Sequence, residues 1–118
     1  MIKAVGFVKK RKDFTSEQFK EYWLNNHSKL EKESVQKNPV RKIVASFVMG
    51  EAIGKAPFDG MVELYWASVE DMKAQFAGPQ RAIMREDEKN SCDLSEEPVF
   101  VITEEYVMAE KTPRRTAI

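Results

Sequence analysis

What is scarce in this chain limits its chemistry more than what is common. It has one cysteine, Cys92, and one histidine, His27. A single thiol excludes an internal disulfide, and one cysteine with one histidine argues against a structural zinc site, which takes several such ligands. Neither sign of charge is in excess: 19 Lys and Arg balance 19 Asp and Glu, so no general field is available to hold nucleic acid, anionic lipid or an acidic partner. No run is long and apolar enough to span a membrane, and Met1-Ile2-Lys3 leads into a strand-like stretch rather than a secretory leader, so a cytoplasmic protein is expected. There is no phosphate-binding glycine loop, no flavin or nicotinamide fingerprint and no paired-histidine metal site, so neither cofactor nor metal is expected. Function has to come from a local site. The length of 118 residues suits one domain, expected over residues 1–110, with a loose tail at 111–118 around Pro113-Arg114-Arg115.

What is present is a clear pattern of elements. Ile2 to Val8 reads as a strand that ends in the solvated run Lys9-Lys10-Arg11-Lys12. Thr15 and Gln18 have capping-box spacing, with Phe14 and Phe19 placed as a hydrophobic staple, so a helix is expected from Thr15 to about Leu30, with Pro39 closing the connection. Arg41 to Met49 and Met61 to Ala67 read as strands, separated by a loop rich in glycine and proline. Val62, Leu64 and Trp66 share one face of the latter strand and Met61, Glu63 and Tyr65 the other. Ser68 and Asp71 predict a second capping box for a helix ending at Gly78, with Val69, Met72 and Phe76 inward. A short helical segment carrying Ala82 and Ile83 follows Pro79, and the last strand is expected over Val99 to Met108.

This order predicts an α+β, ferredoxin-like βαββαβ protomer: a four-stranded antiparallel sheet with both helical crossovers on one face. The other face would leave Val5, Phe7 and Tyr65 wet, which argues for a second copy of the chain across it, a homodimer.

His27 is the outstanding candidate for chemistry, because it shares a helical stripe with Phe19, Tyr22, Trp23 and Leu30, and imidazole alone has an ordinary pKa near neutrality. The same spacing also suits a buried histidine bonded to a backbone carbonyl. Glu63, Glu104 and Glu105 are alternative acid–base groups, but strand alternation sends Glu63 away from Leu64 and Trp66. A histidine–carboxylate pair requires Asp59 or Asp87 to fold over the mouth of a cavity. Cys92 has no second histidine to activate it. Gly6, in mid-strand, either admits a ligand closely or accommodates a bulky neighbour.

Three short segments together carry a resemblance: Phe19 with Tyr22-Trp23 and His27, then Phe58-Asp59-Gly60-Met61-Val62-Glu63-Leu64, and Asp87-Glu88 before the last strand. In order and spacing they resemble the EthD-like family of dimeric α+β barrels, over Met1 to about Met108. The resemblance implies ferredoxin-like protomers whose sheets close into a barrel at a two-fold interface. It implies a role in ether or aromatic degradation or in aromatic polyketide pathways, with lactone isomerisation and dehydration among the assigned activities. It also implies a ligand cavity between helices and sheet, walled by His27, Tyr22, Trp23, Leu64, Trp66, Phe76 and Ile83, the same groups that would make an ordinary core. Haem is disfavoured, since relatives that degrade it carry their histidine on the second helix. Two classes of function follow. One is a cofactor-independent enzyme that isomerises, cyclises or dehydrates a small cyclic or aromatic metabolite with His27 as acid/base. The other is a non-catalytic small-molecule-binding or accessory protein of an oxygenase system, with a cofactor-free monooxygenase between them.

Overall fold

The computed structural model describes residues 1–50, 54–96 and 98–113. Strand β1 (Ile2–Val8) is followed by helix α1 (Ser16–Tyr22), a π-helical turn (Trp23–His27) and helix α2 (Ser28–Lys37). Strands β2 (Lys42–Phe47) and β3 (Gly60–Trp66), helices α3 (Val69–Ala77) and α4 (Gln80–Glu88), and strand β4 (Val99–Glu104) complete the order. The strands form one sheet in the order β2-β3-β1-β4, every neighbouring pair antiparallel. This is the expected α+β, ferredoxin-like architecture. Among the described residues no helix is long and apolar enough to cross a membrane.

The first helix begins where its cap places it. Gln18 N–H donates to Thr15 Oγ1 at 3.1 Å and Thr15 N–H to Gln18 Oε1 at 2.8 Å, and Phe14 packs against the cluster that contains Phe19. It runs to Lys37 rather than Leu30, because residues 31–37 hold neither glycine nor proline and the first breakers are Asn38 and Pro39. At Ser68 only half of the expected box forms. Ser68 Oγ accepts from Asp71 N–H at 3.1 Å, whereas Asp71, one methylene shorter than glutamate, makes no return bond among the described residues. Val69 is 38% exposed instead of inward, and Gln75 takes the buried place. Strands β2 and β3 fall within two residues of expectation. β4, however, stops at Glu104, not Met108: its partner β1 begins at Ile2, and the last pairing is Glu105 N–H to the Met1 carbonyl at 3.1 Å.

Two clusters fill the helix-covered side. Ala4, Val40, Trp66 and Met72 form one; Phe19, Trp23 and Cys92 form the other. Register puts Ile2, Ala4, Gly6 and Val8 on this side, with Leu64, Val62 and Phe100 as their cross-strand neighbours. The helix-free side carries Lys3, Val5, Phe7, Glu63 and Tyr65. Val5 is drier than expected there, 8% exposed, because it sits on a central strand between Glu63 and Val101. The wetter apolar groups are Val99 and Val101 on the edge strand.

Candidate active site

Between the two clusters the covered side is not filled. A cavity of about 620 Å³ lies there, with Gly6, Val62, Leu64 and Phe100 from the sheet on one side and helical residues on the other. Gly6 is part of its floor: a Cβ there would come within 3.2 Å of Val62 and 3.4 Å of Phe100. The position thus serves close approach across the sheet and keeps the floor low.

The π-helical turn brings two rings to the cavity. Such turns insert a residue into an α-helix and recur at functional sites; here the turn holds both Trp23 and His27, 2% and 3% exposed, with ring centroids 4.4 Å apart. His27 Nδ1 lies 2.7 Å from Asp87 Oδ2 on α4. The other oxygen, Oδ1, accepts from Tyr22 O–H at 2.9 Å and from the Asn90 amide at 3.4 Å. Burial works to raise the Asp87 carboxyl, but the bonds from His27 and Tyr22 outweigh it and hold it below its ordinary value. An ionised carboxylate only accepts, so Nδ1 carries the proton and Nε2 is the free ring nitrogen. Nε2 has no partner among the described residues, yet no buried side-chain nitrogen or oxygen among them is unpaired. Nε2 therefore meets the open space of the cavity that His27 lines.

Two further carboxyls share that wall. Glu31, one turn after His27, accepts from Trp23 Nε1 at 3.0 Å, and Glu88 neighbours Asp87. Burial raises both above their ordinary value, and the nearby His27 only partly offsets it. Tyr22 is raised as well, by burial and then by its bond to Asp87. Among the described residues no group of three or more His, Cys, Asp or Glu is arranged to hold a metal ion.

Of the residues expected to wall the cavity, His27, Trp23, Leu64 and Phe76 do so. Tyr22 lies behind, on Asp87. Trp66 is fully buried beneath, its ring against Phe76 and its Nε1 donating to Gln75 Oε1 at 2.8 Å. Ile83 is on the outer surface of α4, 46% exposed, because the stripe turned inward is Met84, Arg85 and Glu88. Asp87 pairs with His27 from a helix rather than from a loop, whereas Asp59 instead accepts from Lys10 N–H at 2.9 Å. Glu63 and Glu105 bind Lys3 on the far side of the sheet, and Glu104 accepts from Tyr106. Burial pushes the Cys92 thiol up to about 12, which keeps it protonated at neutral pH. Glu31, Glu88, Arg81 and Arg85 were not foreseen. The i, i+4 spacing of His27 and Glu31, and of Arg81 and Arg85, was the available signal.

Several solved structures share the fold. An ethyl tert-butyl ether D (EthD) family protein from Bacillus halodurans C-125 superposes with a TM-score of 0.70 at 19% identity, covering 90% of this chain and 99% of its own. A dimeric protein of unknown function with a ferredoxin-like fold from Bacteroides fragilis gives 0.63 at 17% identity, covering 87% and 94%. A protein from Nitrosomonas europaea, assigned by name to the antibiotic biosynthesis monooxygenases, gives 0.63 at 13%, covering 91% and 100%. No curated protein matches the sequence. The EthD domain itself matches residues 11–95, most of the chain and all of the segment that carries His27 and Asp87, and the protein belongs to the EthD domain family.

Proposed function

We propose that the protein is a cofactor-independent enzyme that moves a proton on a small cyclic or aromatic metabolite, in an isomerisation, cyclisation or dehydration, with His27 as the acid/base. The observation that carries this reading is the 2.7 Å pair of His27 Nδ1 and Asp87 Oδ2 beside a largely apolar cavity. Asp87 fixes the tautomer and would stabilise the imidazolium formed when Nε2 takes a proton. Burial leaves the Glu31 and Glu88 carboxyls with a firmer hold on their protons than solvated glutamates have, which suits them to return one. Trp23, Val62, Leu64 and Phe76 would hold a ring and keep water from the reacting carbon.

The working unit in this reading is a homodimer joined through the helix-free face, where Val99 and Val101 are 46% and 44% exposed. Related folds from Bacteroides fragilis and Thermobifida fusca are dimeric, which supports it.

Proton transfer can be followed before the natural substrate is known, as exchange of the acidic C–H of cyclic ketones and unsaturated lactones for deuterium in D2O. The wild-type protein is expected to accelerate exchange for part of such a panel. His27→Gln should slow it by about a hundredfold or more while the fold is kept. Binding without exchange in the wild type would instead favour the non-catalytic binding or accessory role.

A further inference from the structure

Helix α4 is unusual among the helices of this fold: it forms a wall of the cavity, yet none of its residues is buried. It lines the cavity with Met84, the half-buried Arg85 and Glu88, and the exposed Arg81, where a helix that only packed on the sheet would present aliphatic groups. Arg81 lies over two aromatic rings at once, with its guanidinium carbon 5.7 Å from the centroids of both Phe76 and Phe100. Stacking of this kind fixes the plane of the guanidinium and leaves its N–H edge free to bind. Among the described residues no carboxylate lies within 4.0 Å of Arg81, and Arg85 reaches only Glu88, at 4.0 Å. Two guanidiniums thus share one neighbouring carboxyl, and burial raises that carboxyl.

We infer that Arg81, assisted by Arg85, is the anchor for a carboxylate on the ligand, so that the substrates of this cavity are cyclic or aromatic acids. This rests on the reading of the cavity as a substrate site. A planar carboxylate matches the guanidinium fork in two parallel bonds, and the ring that bears it would continue the stack of Phe76 and Phe100. The spacing also sets a size. Arg81 and Glu88 are seven residues apart on α4, about 10 Å along its axis, and Glu88 adjoins the Asp87 that holds His27. A ligand that reaches from Arg81 towards His27 runs along about two turns of α4, which suits a fused bicyclic ring better than a single one. Its negative charge would act on Glu88 in the same upward direction as burial does.

The test compares 2-naphthoate with its neutral isostere 2-naphthamide, with binding read by calorimetry. The wild type is expected to prefer the acid by about tenfold or more, with the preference shrinking as salt is added. Arg81→Gln should abolish the preference without weakening the amide to the same degree. Arg81→Lys, which keeps the charge but not the fork, should retain only part of it. His27→Gln should leave the preference intact, so a missing proton transfer and a missing anion site are separable. Equal binding of acid and amide by the wild type, an unchanged ratio in Arg81→Gln, or no binding of either probe would overturn the assignment. Circular dichroism of each variant confirms that the fold is kept.

Discussion

The two sides of the sheet carry clusters made of nearly the same parts. Under the helices, Asp87 accepts from Tyr22 and from His27, at 2.9 and 2.7 Å. On the helix-free side, Glu105 accepts from Tyr65 and from Lys3, at 3.2 and 2.8 Å, and Lys3 also binds Glu63 at 2.6 Å. Each is a carboxylate with a phenol and a nitrogen base, yet they are suited to different work. The bonds to Glu105 and Glu63 raise the Lys3 amine further above its ordinary 10.5, and Lys3 holds the Glu105 carboxyl below its ordinary 4.5. Lys3 therefore stays charged and Tyr65, which burial raises, stays neutral through neutral pH, so neither changes its protonation there. The other cluster places an imidazole, which has an accessible second nitrogen, against a cavity. The base and the space in front of it, not the hydrogen-bond pattern, distinguish the two clusters.

The largest effect should come from breaking the Asp87 side alone. Asp87→Asn keeps the size of the side chain, but its amide can donate to Nδ1 and stabilise the tautomer in which Nε2 carries the proton. Deuterium exchange should then fall by about a hundredfold or more, with a much smaller loss of stability. The matching change on the other side, Glu105→Gln, should leave the rate per folded molecule unaltered. Equal losses in both variants would erase the distinction between the clusters.

Thr15→Ala loosens the start of the helix that carries His27 and touches neither cluster. Chemical denaturation should show a loss of about 1 kcal/mol, while exchange per folded molecule stays as in the wild type. A rate loss larger than the folded fraction explains would mean that the position of His27 depends on the cap.

The smallest effect concerns pH. Burial raises Glu31 and Glu88, so the folded protein binds their protons more tightly than the unfolded chain does. Stability should fall as pH rises from the ordinary 4.5 of glutamate towards their raised values. The Lys3 cluster has the opposite sign: the contribution of Glu105, which Lys3 lowers, is present above 4.5 and lost only as pH falls below it. Thermal melting between about pH 4 and 8 should therefore show a decline for the wild type that disappears in the double variant Glu31→Gln, Glu88→Gln, which should be the more stable protein at neutral pH. An identical decline in that variant would place its origin elsewhere.

Much of the fold was legible because local signals specify it. The Thr15–Gln18 box, the alternation of Val62, Leu64 and Trp66 and the stop at Gly78 depend on residues a few positions apart, and the structure carries all three. The far ends of elements were less legible. The helix passes Leu30 because nothing stops it before Asn38, and β4 ends where β1 offers no more partners, a fact about another strand 100 residues away in sequence.

Sequence alone determined the order of elements, the α+β class, the face that Glu63 shares with Tyr65, and the choice of His27 as the residue to watch, because helical and strand periodicity and side-chain chemistry are local properties. Tertiary structure alone decided where His27 sits and what it pairs with. Its partner Asp87 lies 60 residues away, the cavity exists only between the two clusters and α4, and the rotation of α4 sets Arg85, Glu88 and the exposed Arg81 along the cavity and leaves Ile83 off it. A 2.7 Å contact across that span is set by how helices pack on a sheet, and no spacing within a single segment encodes it.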